Sequence, residues 1–442
     1  MSLHLDSATQ AAASIHKGEY SSEDLVADCL ERIAATDGAI KAWVHLDAEA
    51  ALEQARALDI LRQDGRPLGP LHGLPVGVKD IFDTSDMPTA YGSPIYQGRQ
   101  PAADSTVVAK LREVGAVIMG KTVSAELAFV TPGETTNPFD PSRTPGGSSS
   151  GSAAAVAAAQ VPLAVGSQTN GSVVRPASFC GTFGFKPSRG MISRQGVLQT
   201  SETLDQIGGF GRTLEDVALL CDALTGFDAA DGATYPRAKP DFSAGCRQEV
   251  PVEPALAWLD LPFYDRLAED AGSGIAELRD ALGGRVEEFT APDSLANIVD
   301  HHQVIHEYEV RRNLAEAYER RPQDISPELL LRIERGGSHS DEEYSGALAA
   351  LADADAFFAE FFHDFDAILA PSAAGEAPEG LAWTGDPIFC TIWTFCGLPS
   401  LSLPLLVGEN GLPIGVQLVS GLEEDARLCR TAQWLLDFLQ DN

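Results

Sequence analysis

Apolar positions recur at helical spacing in the first part of the chain. In SSEDLVADCLERIAATDG, Leu25, Val26, Cys29, Leu30 and Ile33 fall on one face, with Ser21 or Ser22 as N-cap and Gly38 as the expected stop. A second helix is expected from about Asp47 to Arg62, ended by Gly65-Arg66-Pro67, so residues 1–66 read as helical. The period then changes. PVGVKDIF and AVIMGKT are short apolar, β-rich runs separated by the helical STVVAKLREVG, which is the strand, helix, strand order of an α/β sheet. PALAWLDL, a helix through Ala276 to Leu282, and RVEEF repeat that order. Helices are expected from about Ser294 to Arg320 and from Ser340, where SDEE makes a capping box, to Phe362. DAILAPS, SLSLPLL and LPIGVQLVSG close the chain as strands, Asn410-Gly411 turning the last two into a hairpin, before a helix from Glu423 to Leu439.

Strands at both ends of the chain with helices between favour one large α/β domain. Within it we distinguish a helical part (1–66), a central part (67–226), an α/β and helical middle (227–365) and closing strands with a helix (366–442). The central part holds an abrupt compositional break. PGETTNPFDPSRTPGGSSSGS, with its four prolines, reads as an irregular loop, and it runs directly into the small-residue helix AAAVAAA.

Composition narrows the picture. With 44% hydrophobic residues in 442, the chain can bury a sizeable core. No apolar run approaches about 18 residues, and MSLHLDSATQ lacks a basic region and an apolar signal core, so neither a membrane nor export is expected. The seven cysteines are scattered and never spaced C-x-x-C, which suggests neither a disulfide framework nor a zinc site and fits a reducing cytoplasm. A formal net charge of −33 repels nucleic acid and anionic membranes.

Three segments carry candidate chemistry: Lys79 in GLPVGVKD, Ser148 in TPGGSSSGSAAAVAA, and Ser172 in GSQTNGSVVRPASFCG. Amide hydrolysis needs a nucleophile, a group that takes its proton and returns it to the leaving nitrogen, and donors for the developing oxyanion. Lys79 lies in an apolar run, and burial favours the neutral amine that can accept a proton; a lysine stem packed at a strand edge with its head in water is the alternative. Ser148 follows two glycines, which free the backbone or make a flexible linker, and the alanine-rich helix after it favours an ordered loop. Thr169, Asn170 and Gly171 precede Ser172, so consecutive backbone N–H groups can converge beside its hydroxyl, unless the stretch is a plain turn.

From Gly73 to Gly226 these blocks resemble the amidase signature family. PLHGLPVGVKD, DSTVVAKLREVGAVIMGKT, NPFDPSRTPGGSSSGSAAAVAA, GSQTNGSVVRPASFCGTFGFKPSRG and SETLDQIGGFGRTLEDVALLCDALTG match the family's blocks in order, and the flanks also resemble it, from GEYSSEDLVADCLERI to GLPSLSLPLL. The resemblance implies a central mixed β-sheet flanked by helices. It also implies a catalytic set in which Lys79 is the base, Ser148, after a cis peptide bond, the relay, and Ser172 the nucleophile that forms an acyl-enzyme. The spacing agrees, since 172 − 148 = 24 residues. The oxyanion would rest on the backbone N–H groups of Thr169, Asn170, Gly171 and Ser172, and neither metal nor organic cofactor is implied. Ser150-Gly151, Gln168 and Asn170 depart from commoner family residues without removing a catalytic group. Gln168 and Arg175 resemble a malonamidase-like branch in which the arginine binds a substrate carboxylate, a role suited to a guanidinium fork, although the same arginine can pin the loop. Trp383, Phe389 and Trp393 in GLAWTGDPIFCTIWTF are candidates for lining the pocket, or ordinary core residues.

Two other signals are set aside. Gly147-Ser148-Ser149-Ser150-Gly151 fits G-x-S-x-G, but that motif needs a strand before it and PFDPSRTPG is proline-rich loop. HHQVIHE places His302 and His306 four apart on a helix, yet Gln303 stands where a zinc-protease motif has glutamate, so packing or solvation is expected. The reading is a serine amidohydrolase acting on a small amide, urea-like or urethane substrate, with a homodimer left open. The alternatives are the glutaminase subunit of an amidotransferase and a non-catalytic binding protein on the same fold.

Overall fold

The computed structural model describes residues 2–441. Eleven strands form one sheet: β1 (Trp43–Leu46), β2 (Pro75–Lys79), β3 (Val117–Thr122), β4 (Leu163–Gln168), β5 (Phe183–Lys186), β6 (Gln206–Gly211), β7 (Leu256–Asp260), β8 (Val286–Thr290), β9 (Ala367–Pro371), β10 (Ser400–Val407) and β11 (Pro413–Val419). Their spatial order is β1-β3-β2-β4-β6-β5-β10-β11-β9-β7-β8. β3, β2 and β4 run parallel, as do β9, β7 and β8, while the strands between them alternate in direction, so the sheet is mixed. The fold is a single α/β domain with helices flanking this sheet.

β2 and β4 are buried along their whole length, and β2 accordingly reads as a short apolar run and not as an alternating one. Because β2 and β4 are parallel neighbours, pairing Val76 with Leu163 and Val78 with Val165, their C-terminal ends emerge at the same end of the sheet. That single fact places Lys79 beside the segment that leads into Ser172.

Several boundaries differ from the pattern-based expectation. Gly38 does not stop its helix; the Ser22–Ile40 helix carries through it and ends at Lys41, which takes a left-handed φ of 55°. Ser21 is the N-cap, its hydroxyl reciprocated by Asp24. Ile40 is buried, which rewards two further residues of helix, and the amide of Ala42 is satisfied by the Asp37 carboxylate at 2.7 Å. The helical reading of residues 1–66 also misses β1, a four-residue edge strand paired antiparallel with β3. The expected Ser294–Arg320 helix is divided at Leu314 into Ile298–Asn313 and Ala315–Arg320. The Ser340 capping box and the Asn410-Gly411 hairpin stand where the pattern put them.

Candidate active site

Lys79 is the last residue of β2 and has no solvent exposure. Its ammonium-derived nitrogen lies 2.8 Å from Ser148 Oγ and 2.9 Å from Ser167 Oγ. No carboxylate lies within ion-pair distance of it among the described residues. Burial therefore pulls its pKa down to about 7, against a weaker opposing pull from the buried Asp205. Ser167, at the end of β4, is not among the sequence candidates; beside Gln168 it is one of two polar residues closing a buried strand, which does not mark it out.

The loop carrying Ser148 is held from several sides. The Gly147–Ser148 peptide is cis. Ser148 O accepts the Ala125 amide at 3.0 Å, and Gly147 O accepts Arg175 Nη2 at 2.7 Å. Gly146 has a φ of +83°, and a Cβ there would lie 2.8 Å from the Pro176 backbone, so neither conformation nor space admits a larger residue. Ser149, the nucleophile of the rejected G-x-S-x-G reading, is wholly buried, its hydroxyl bonded to the Ser167 backbone, with a loop before it and no strand.

Ser172 follows β4 across the turn Thr169–Gly171. Its hydroxyl bonds to no protein group among the described residues, and the residue lines a cavity of about 490 Å³, within the size range of small-molecule sites. The backbone N–H groups of Thr169, Asn170, Gly171 and Ser172 likewise have no protein acceptor among the described residues. For the last three the reason is that the carbonyls of this turn are used elsewhere: Thr169 O meets His302 Nε2 at 2.9 Å, Asn170 O accepts Thr394 Oγ1, and Gly171 O accepts the Arg175 amide at 3.0 Å. In a trans peptide the N–H points opposite to the C=O, so carbonyls drawn into the protein leave the amides facing outward. Thr169 is fastened further by its hydroxyl, 2.5 Å from Asp205 Oδ1.

The other sequence candidates divide. Arg175 is buried and lines the cavity, but Nε donates to Thr384 O at 2.8 Å and Nη2 to Gly147 O and Thr384 Oγ1, leaving only Nη1 without a partner. Burial lowers its pKa to about 10, so it stays charged at neutral pH. Gln168, a candidate for contact with substrate, is instead a brace: Oε1 accepts the amides of Val173 and Val174, and Nε2 donates to Thr394 Oγ1 at 2.9 Å. Trp383, half exposed, lines the cavity. Phe389 and Trp393 do not; Phe389 stacks on Tyr264 and Trp393 meets Phe358 edge-on in the core. The same helix, Ile388–Phe395, turns Ile388 and Thr391 to the cavity instead.

Much of the remaining wall comes from the Ile298–Asn313 helix through Asp300, His302, Gln303, His306 and Glu307, none of them predicted to line the site. His302 is buried and His306 partly buried, and desolvation holds both rings neutral, His302 with its pKa down to about 4. Among the described residues no group of three or more His, Cys, Asp or Glu side chains is placed to hold a metal ion, and no helix is long and apolar enough to cross a membrane.

Known proteins share this arrangement of sheet and helices. A family model described as Amidase matches residues 24–429. A curated relative from Chloroflexus aurantiacus, named as a glutamyl-tRNA(Gln) amidotransferase subunit, is 34% identical over 97% of this chain and 95% of its own. A solved structure described as a vestigial protein complex that reveals the origins of an s-triazine catabolic enzyme superposes with a TM-score of 0.91 at 30% identity, covering 98% of both chains. The peptide amidase of Stenotrophomonas maltophilia does so with a TM-score of 0.83 at 28% identity over 98% of this chain and 96% of its own.

Proposed function

The chain belongs to the amidase family, whose enzymes act on C–N bonds, and from that premise we propose that it hydrolyses a small amide through a covalent intermediate on Ser172. The observation that carries the reading is a fully buried lysine, poised to be neutral, within hydrogen-bond reach of Ser148, at the sheet end where Ser172 opens on the cavity.

In the proposed sequence, neutral Lys79 draws a proton through Ser148 from Ser172, whose oxygen bonds to the substrate carbonyl carbon. The carbonyl oxygen takes the negative charge and is received by the amides of Thr169, Asn170, Gly171 and Ser172. Ser148 passes the proton to the departing nitrogen as the C–N bond breaks, with Lys79 replenishing it. Water, deprotonated through the same pair, attacks the acyl carbon, and the released Ser172 oxygen regains a proton. The Lys79–Ser148 contact is formed in the resting protein. Ser172 is not yet bonded to Ser148, as expected where a catalytic hydrogen bond tightens only with substrate bound.

Two destinations for the released nitrogen fit this chemistry. A free-standing hydrolase acting on an amide, urea or urethane releases it to water. The name of the Chloroflexus relative favours the second, the glutaminase subunit of an amidotransferase, which hands ammonia to a partner. The charge of −33 keeps nucleic acid off this chain's own surface and would leave that contact to another subunit. Arg175 Nη1 is suited to a substrate carboxylate under either reading, because glutamine also carries one.

Ammonia release measured with L-glutamine and with a panel of simple amides, ureas and carbamates separates the two. Turnover of glutamine alone supports the subunit reading, and turnover of the panel without glutamine supports the free-standing one. Ser172→Ala is expected to abolish either activity, by about 10⁴-fold or more. A Ser172→Ala protein that keeps wild-type turnover overturns the proposal.

A further inference from the structure

We infer that His302 is a positioning residue for the proposed oxyanion turn: by holding the Thr169 carbonyl it aims the Asn170 amide at the oxygen of the bound substrate. The inference rests on the reading of Ser172 as nucleophile and adds a residue from outside the central segment.

A carbonyl oxygen only accepts, so the contact of 2.9 Å requires His302 Nε2 to carry the hydrogen. Burial keeps the ring neutral, which makes that a single tautomer at neutral pH. The Thr169–Asn170 peptide is trans and planar, since Gly147–Ser148 is the one cis bond among the described residues. Fixing the direction of Thr169 O therefore fixes the direction of Asn170 N–H. The next two peptides are fixed by Thr394 and by the amide of Arg175, so each carbonyl of the turn has its own clamp.

His302 reaches the turn from 133 residues along the chain, on the Ile298–Asn313 helix. Its ring is held by packing as well. His306, one helical turn on, meets it edge-on at 5.7 Å, and His306 in turn lies 4.7 Å from Phe129. Removing the imidazole leaves Thr169 O buried and unpaired, free to rotate its peptide toward another donor and carry the Asn170 amide away from the cavity.

The experiment compares His302→Met, which fills space without a donor, with His302→Gln, whose side-chain amide can place an N–H near the original nitrogen. Substrate turnover is measured together with binding of phenylboronic acid, which forms a tetrahedral adduct on a reactive serine. For His302→Met we expect kcat to fall by about 10- to 100-fold with KM within about twofold, and phenylboronic acid to weaken in proportion. His302→Gln is expected to recover most of both.

Wild-type kcat and boronate affinity in the Met variant overturn the inference, as does a loss confined to KM. If the Met variant does not fold, the Gln variant decides: kcat and boronate affinity close to wild type support the inference, and a loss that leaves boronate binding intact overturns it. Ser172→Ala run in parallel keeps the two claims apart. An inactive Ser172→Ala beside an unaffected His302→Met sinks the positioning role alone, whereas an active Ser172→Ala sinks the nucleophile assignment and this inference with it.

Discussion

Lys79 is a primary amine sealed from solvent and bonded to two hydroxyls, with no ion-pair partner among the described residues. An ammonium there would lose most of its hydration, so the neutral form is favoured and the pKa drops from 10.5 to about 7. The sign for catalysis follows directly. A base must be unprotonated to act, so kcat/KM is expected to rise with pH through a midpoint near 7, measured on a substrate that does not itself titrate there. A flat profile between about pH 5.5 and 8.5 would count against Lys79 as the base. Lys79→Met is expected to cost about 10²- to 10⁴-fold in kcat, the range of a positioned acid–base group. At this scale the sequence is legible where chemistry forces a residue type into unusual company: a lysine in an apolar strand, serines after paired glycines. Ser167 and Gln168 are not legible in the same way. Both are polar residues at the end of a strand, and whether such a side chain meets substrate or braces a loop depends on which direction the following turn takes.

The Ile388–Phe395 helix shows what an element adds to its residues. All eight are buried, so hydropathy cannot say which face looks at the cavity and which at the core. Tertiary packing decides it: Trp393 goes against Phe358 and Phe389 against Tyr264, while Ile388 and Thr391 turn to the site. Trp393→Ala is therefore expected to remove about 3–5 kcal/mol of stability by leaving a cavity in the core. Trp383→Ala, in the exposed loop before the helix, should change stability by no more than about 0.5 kcal/mol and act on KM for the substrate. Thermal or denaturant unfolding beside steady-state kinetics checks both, and a Trp393→Ala protein as stable as wild type would show that the core assignment is mistaken. The same blindness explains the strands that periodicity does not mark. LAVGSQ, FGFK and QIGGFG are short, rich in glycine and covered on both sides, so they show neither alternation nor a β-branched run. Their glycines have a spatial cause that only the fold supplies: a Cβ on Gly166 of β4 would lie 2.8 Å from Ser149 Oγ, the residue beside Ser148.

The whole molecule carries 64 acidic and 31 basic side chains, so at least 33 carboxylates lack a basic counterpart even if every Lys and Arg takes one. Many of the basic groups are already paired at the surface, as in Arg56–Glu23, Lys41–Glu134 and Arg320–Glu316. Added salt then acts in two opposing ways. It screens those exposed pairs, each worth about 0–1 kcal/mol, and it screens repulsion among the unpaired carboxylates, which compaction makes worse. The excess of one sign decides the balance, because repulsion is summed over many longer separations that a Debye length of about 30 Å at 0.01 M does not cover and one of about 3 Å at 1 M does. The melting temperature is therefore expected to climb as NaCl is raised over that range, with KCl giving the same rise and sucrose at matched osmolarity not reproducing its steep early part. A melting temperature that falls with salt would mean that the surface pairs outweigh the repulsion. Lys79 and Ser148 sit beneath this surface, where the same ions cannot reach them, so the midpoint of the pH–rate profile should move far less with salt than the melting temperature does.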